Sequence, residues 1–222
     1  MEFINPKDFK LTIDEYHNFL KQYSFRDKAI NGVLAHFKEF KSYCFLSATP
    51  IPNNLKPAIF NDIPEYMADW NTTDEITVYP YHTDKPYMVA AKFIKTYKAK
   101  GSLNVNGIES KEAYFFINSV TEIKAILKQT QLTEDDYRII CADNPKNRRT
   151  LEEYTISSSA DAPKKFNFIT SKSFEGVDFH SETGLCFVVS NVQNRHTLVS
   201  IDMDIPQIVG RIRTKSNPLG IK

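Results

Sequence analysis

The sequence predicts an α/β protein built on a parallel sheet with helices on both faces. Three observations predict it. Short apolar runs such as "EAYFFI" (112–117) and "YRIICA" (137–142) have strand length and little polar alternation, as parallel strands covered on both faces do. Segments of helical period lie between those runs, and that alternation is the pattern of strand–helix–strand units. The boundaries also carry helix start and stop residues.

The elements follow in order. "FKLTI" (9–13) reads as a strand. From Ser24 to Phe40, Ala29, Ile30, Val33, Leu34 and Phe37 fall at helical spacing, with Ser24 and Asp27 as start signals. "SYCFLS" (42–47) reads as a buried parallel strand stopped by Thr49 and Pro50. Residues 51–74 contain Pro52, Pro57 and Pro64 and little periodicity, which reads as a connection with a boundary near Thr73. The division is therefore 1–74 and 75–222. The second part opens with a strand (75–79) and a helix from Pro86 to Lys100, stopped by Gly101. After the strand at 112–117, Ser119 and Glu122 form a capping box for a helix reaching about Lys128. A strand at 137–142, a helix around 145–154 and a strand at 165–169 continue the alternation. Strands at 184–190 and 197–201 and a helix near 206–213 complete it.

The chain has 222 residues, 41% hydrophobic and 25% charged, which is enough for a proper core and about one and a half domains. Its net charge of +1 gives no bulk attraction to nucleic acid or a membrane surface, so any polyanion site must be local. Cys44, Cys141 and Cys186 each lie in apolar runs, which suits buried strand positions better than disulfides or a metal cluster. The polar N-terminus and the lack of any long apolar run give no signal peptide and no membrane span, so a cytoplasmic location is the expectation. Lys146, Arg148 and Arg149 form a basic cluster that reads either as phosphate contacts or, more simply, as a solvated helix face.

Four constellations carry chemistry. In "TIDEYHNFL" (12–20), Asp14 and Glu15 follow a strand and would project from its carboxyl end. A carboxylate there suits Mg²⁺, which keeps much of its water and leans on one or two carboxylates plus phosphate oxygens. The adjacent Glu could orient an attacking water, although an acidic helix start uses the same residues. "LSATP" (46–50) ends the next strand, bringing Ser47 and Thr49 beside the acidic box, where a plain turn would also use hydroxyls. "TSKSFEGVDF" (170–179) offers the hydroxyls of Thr170, Ser171 and Ser173, the free backbone of Gly176 and the carboxylate of Asp178, either for a ligand or as an ordinary glycine-containing loop. "PQIVGRIRT" (206–214) sets Gln207, Gly210 and Arg211 about one helical turn apart with Arg213 near. Guanidinium groups suit phosphate, and a basic helix end also complements the dipole.

The order of these four resembles the core of superfamily 2 (DEAD/DEAH-like) helicases. "DEYH" is similar to motif II, "SAT" to motif III, "FFINS" (115–119) to the motif IV region, "TSKSFEGVD" to motif V and "QIVGRIR" to motif VI. The resemblance spans about residues 9–214. It implies a RecA-like second lobe preceded by a remnant of a first RecA-like lobe, ATP and Mg²⁺ as cofactors, and DNA or RNA as partner. Asp14 and Glu15 would be the Mg²⁺ and water-activating carboxylates. His17 with Ser47 and Thr49 would couple the nucleotide and nucleic-acid sites. Ser119 and Thr170 would face the nucleic-acid backbone, Gly176, Asp178 and Gly210 the lobe interface, and Gln207, Arg211 and Arg213 the nucleotide phosphates. The family ends G-R-x-G-R or G-R-x-x-R, whereas "GRIRT" has a single intervening residue and resembles the G-R-V-R form of origin-binding replication helicases. Arg211 and Arg213 are therefore both candidates for the arginine finger.

No G-x-x-x-x-G-K-[ST] occurs in the sequence; "GSLNVNG" (101–107) has two glycines but no Lys-Ser/Thr pair after them. The family carries that loop upstream of its acidic box. The chain thus resembles the carboxy-terminal part of a larger helicase, expected to hydrolyse ATP poorly or not at all by itself, with the missing first lobe as a partner and self-association through orphan strand edges as a further expectation. Two alternatives stand beside this reading: a non-catalytic nucleic-acid or partner-binding platform derived from a helicase lobe, and an unrelated α/β phosphate-binding domain.

Overall fold

The structure, a computed structural model, describes residues 5–68, 77–174 and 176–220, with the backbone alone at Phe25. The chain forms two compact units, Met1–Trp70 and Asn71–Lys222.

In the first unit, β1 (Lys10–Ile13) and β2 (Ser42–Phe45) pair in parallel, with Ile13 opposite Phe45. The crossover between them contains α1 (Asn18–Lys21), α2 (Tyr23–His36) and a 3-10 turn, Phe37–Glu39. The helix therefore starts before Ser24 and tightens before Phe40; no side chain caps it. Both strands alternate exposed and half-buried residues, because this sheet has two strands and packs one face. Cys44 consequently lies exposed, against the expectation of a buried strand position. The packed face meets Tyr16, Ile51 and Phe60, with Phe45 edge-on to Phe60 at 5.0 Å and Phe37 at 5.3 Å. Residues after Pro50 thus belong to this core, where the sequence suggested only a connection.

The second unit holds a four-stranded parallel sheet in the order β6–β7–β5–β8. Its elements are α3 (Pro86–Lys100), β3 (Leu103–Val105), β4 (Ile108–Ser110), β5 (Glu112–Phe116), α4 (Val120–Thr130), β6 (Tyr137–Ile140), α5 (Pro145–Leu151), β7 (Phe166–Ile169), β8 (Gly184–Val188) and α6 (Asp204–Val209). Ala113, Phe115, Ile139, Phe166 and Phe168 face α3, α4 and the end of α5 through Ile94, Tyr97, Ile123, Leu127 and Leu151. Tyr114, Phe116, Ile140 and Ile169 face the other way, onto Phe174, Phe179, Ile208 of α6 and Ile212. The mixed α/β class and the helix-flanked parallel sheet agree with the sequence.

Several elements differ. The expected strand at 75–79 lies partly outside the described residues, and 77–79 form no strand. The β3–β4 hairpin turns on Asn106 and Gly107, both at positive φ, as an Asn-Gly hairpin turn requires. Residues 198–201 are not a strand, and Leu198 and Ile201 lie exposed. The last helix ends at Val209, so Arg211 and Arg213 follow it on a segment bridged in parallel at Ile212 to Phe179.

Candidate functional site

In the first unit, the parallel ladder runs on past both strands. Leu46 N–H donates to Ile13 O (2.8 Å) and Tyr16 N–H to Leu46 O (3.1 Å), so Asp14–His17 and Leu46–Thr49 leave the same end of adjacent strands. Tyr16 turns into the aromatic core, 5.6 Å from the Phe60 ring, which anchors the middle of the acidic turn. Glu15 adopts φ +51, a left-handed conformation uncommon for a residue with a Cβ, and Asp14 Oδ1 accepts its N–H at 2.9 Å.

His17 is fully buried. Its Nδ1 lies 2.7 Å from Ser47 Oγ and 3.4 Å from Thr49 Oγ1. Ser47 Oγ also accepts the Thr49 N–H at 3.0 Å, closing a small turn. Glu15 Oε2 approaches the same ring nitrogen at 3.2 Å, yet it makes no hydrogen bond. Its direction makes this an electrostatic contact. One ring nitrogen therefore joins the acidic turn to the hydroxyl turn. Asp14 is exposed, and its carboxylate suits a Mg²⁺ that takes its remaining oxygens from water and phosphate. Among the described residues no group of three or more His, Cys, Asp or Glu is placed to hold a metal.

In the second unit, β5 and β7 are neighbours whose connections depart to opposite sides, toward β6 and β8 respectively. Ligand crevices in open α/β sheets form at such a switch point, beyond the carboxyl ends of the strands. Here Asn118 stitches the two loops: its Oδ1 accepts from Ser171 Oγ (2.7 Å) and Ser171 N (3.3 Å), and its Nδ2 donates to His196 O (2.7 Å). The sequence offered Ser171 only as a loop hydroxyl and gave Asn118, inside "FFINS", no role, because the two are far apart in the chain. Ser119 and Thr170 flank them but are buried and engaged. Ser119 Oγ accepts the Glu122 N–H at the start of α4, and Thr170 Oγ1 donates to Ile140 O at 3.4 Å.

The segments 177–181 and 211–214 pair through Phe179 N–H to Arg211 O (2.7 Å), Arg213 N–H to Phe179 O (2.9 Å) and Ser181 N–H to Thr214 Oγ1 (2.9 Å). This pairing unites Gln207, Arg211, Arg213 and Asp178. Arg211 is buried and donates to Gln207 O (2.8 Å), Gln207 Oε1 (3.0 Å) and Val177 O (3.4 Å). Asp178 Oδ1 lies 3.6 Å from Arg211 Nη1 and accepts from Arg213 Nε at 3.0 Å. Arg213 and Asp178 are both half exposed. Gly176 enters the segment at φ +71, and Gly210 closes α6 with its N–H on Pro206 O.

The basic cluster on α5 is partly spent: Arg148 grips Asp143 with Nη2 to Oδ2 at 2.7 Å, and that bond holds the Asp143 carboxyl below its ordinary range. A cavity of about 440 Å³ opens beyond the carboxyl ends of β6 and β7, while another of about 290 Å³ between α3 and α4 is lined by the helix-start residues Pro86 and Glu122 and by none of the candidate site residues. Among the described residues no helix is long and apolar enough to cross a membrane. No protein-family model, curated protein or solved structure matches the chain.

Proposed function

We propose that the chain is part of an ATP-dependent superfamily 2 nucleic-acid helicase or translocase, its second unit a RecA-like lobe and its first a remnant of the preceding lobe. Asp14 holds Mg²⁺ together with the phosphates of ATP, which the ion neutralises for transfer. Glu15 orients the attacking water, Gln207, Arg211 and Arg213 face the nucleotide phosphates, and the partner is DNA or RNA. The observation that carries this reading is the contact of His17 Nδ1 with Ser47 Oγ at 2.7 Å. Residues 30 apart in sequence, from the two turns that the resemblance pairs, meet at the carboxyl ends of adjacent parallel strands. The clasp of Asp178 with Arg211 and Arg213 adds support, because it unites the motif V-like and motif VI-like segments.

One observation favours a second reading, a binding platform without ATPase chemistry. The sequence contains no G-x-x-x-x-G-K-[ST], hence no backbone cradle and lysine for the β and γ phosphates. Equilibrium binding of a fluorescent ATP analogue and of a labelled single strand to the purified chain separates the two. The motor reading expects analogue binding that weakens in Arg213→Ala, with little or no turnover by the chain alone. The platform reading expects strand binding indifferent to nucleotide. Binding of neither probe refutes both.

A further inference from the structure

We propose that the groove between the start of α3 and the outer side of α4 docks an arginine-bearing segment of a partner protein. Glu122, Ile126 and Gln129 are four and three residues apart, so α4 presents them in one stripe, and Asp84, Lys85 and Met88 at the start of α3 form the facing wall. At about 290 Å³ the groove lies just under the roughly 300–1,000 Å³ of pockets that hold a whole small molecule, so it suits one long side chain. Its lining is apolar at Ile126, which is buried, and at Met88, which is half exposed. Val192, next in the chain to the lining residue Asn191, is 82% exposed and continues the apolar surface outside the groove. A protein segment covers such a shoulder with the neighbours of its arginine, whereas a free metabolite leaves it bare.

The charge of the walls selects a cation. Glu122 is left over from the cap of α4: Ser119 Oγ accepts its backbone N–H at 3.4 Å, but the Ser119 N–H goes to Ile117 O at 2.8 Å, so the carboxylate makes no reciprocal capping bond. Asp84 stands just ahead of α3 and has no ion pair among the described residues. Every arginine of the chain, and every lysine but Lys222, lies among those residues, and none of them pairs with either carboxylate. Lys85 shares the groove and still pairs with neither, so two carboxylates line it against one ammonium. An arginine answers this arrangement better than a lysine, because its planar fork meets carboxylate oxygens from two sides while its methylene stem lies along Ile126 and Met88. The groove lies wholly within the second unit and uses no residue assigned to nucleotide or nucleic acid, so it and the motor reading fail separately.

The test is amide NMR of the 222-residue chain with three probes: an end-blocked leucyl-arginyl-leucine peptide, its citrulline counterpart, which keeps the shape and loses the charge, and spermidine. The arginine peptide is expected to shift the amides of Met88, Glu122, Ile126 and Gln129, and the citrulline peptide to bind more weakly. Glu122→Gln should weaken the arginine peptide about three- to fivefold, the scale of one partly exposed ion pair, and leave the citrulline peptide unchanged. Adding Asp84→Asn should bring the loss to about tenfold. Equal binding of the arginine and citrulline peptides would show a groove indifferent to charge and overturn the proposal, and that comparison needs no variant to fold. Shifts with spermidine alone would assign the carboxylates to a free polyamine and overturn it too. So would the absence of any shift in this set at millimolar arginine peptide on the unmodified chain.

Discussion

Replacing Ser47 with alanine tests the junction of the two turns in the first unit. The Ser47 hydroxyl serves two groups at once, the buried His17 Nδ1 at 2.7 Å and the Thr49 N–H at 3.0 Å. Each bond contributes about 1 kcal/mol net, and stranding a buried partner costs more. Glu15 Oε2 at 3.2 Å and Thr49 Oγ1 at 3.4 Å remain near the ring nitrogen and offset part of the loss. The expected destabilisation is therefore about 1–2 kcal/mol, or roughly 5–15 °C in the melting of a unit this small. Hydrogen exchange at Leu46 and Tyr16, whose N–H groups carry the ladder past the strands, reads the change locally. Ser47→Thr, which keeps the oxygen, should cost less. A double-mutant cycle with His17→Ala should return a coupling of about 1 kcal/mol. Additive single substitutions, or a cost for Ser47→Ala below about 0.3 kcal/mol, would show that the two turns are merely neighbours.

Gly184→Ala should destabilise the second unit by about 2 kcal/mol in denaturant titration, because the new Cβ would sit 2.7 Å from the Tyr114 ring and 2.9 Å from Ser181 Oγ. Arg211→Ala should cost about 2–3 kcal/mol in the same assay, since it removes buried charge-assisted bonds to Gln207. Arg213→Ala, at a half-exposed ion pair, should change stability by less than about 0.5 kcal/mol. With a maleimide at pH 8, Cys44 should react first, while burial pushes Cys141 up to about 11 and Cys186 to about 12. Their thiolate fractions stay at roughly a thousandth or less, and labelling should accelerate only as pH climbs toward those values. Arg148 depresses the Asp143 pKa, so that interaction is complete above the unfolded carboxylate value and is lost as pH falls through the folded one. A carboxyl carbon titration should place Asp143 below the ordinary aspartate midpoint, and Arg148→Ala should raise it.

The parallel sheet of the second unit was legible because its central strands are nearly continuous apolar runs covered on both faces. The same signal misled at β2, where two strands alone leave Cys44 uncovered. "TLVSI" has a strand's composition, but no ladder forms along it, and Leu198 and Ile201 stay exposed. The β3–β4 hairpin carries a readable Asn-Gly signal between apolar residues, in the same stretch that lacks the Lys-Ser/Thr pair of a phosphate loop. Motif residues were readable from local order, whereas their partners were not. Thr170 finds Ile140 O, and Asn118 finds Ser171, only once distant strands lie side by side. Arg138 and Asn167 are polar exceptions within the apolar strands β6 and β7, and both are buried.

Those two exceptions explain how the half-exposed arginine is held. Arg138, Asn167 and Tyr114 lie opposite one another on neighbouring strands, so they form a polar row across one face of the sheet. Burying a guanidinium is costly unless its donors are met. Here Nε donates to Asn167 Oδ1 at 3.0 Å, Nη1 to Asp161 O, and the charge lies 5.5 Å from the Phe179 ring centroid. Tyr114 packs against the same ring at 5.4 Å. Phe179 is thereby fixed on the sheet, and its own N–H and C=O bond to Arg211 and Arg213. The buried row sets the height of the segment that carries Asp178, and Asp178 in turn meets Arg213. Arg211 is tied to Gln207 and Val177, so moving it means breaking buried bonds, whereas Arg213 has only to exchange one carboxylate for another anion. On the proposed reading this makes Arg213 the cation that an incoming phosphate can claim, and Arg211 the residue that keeps the segment in place.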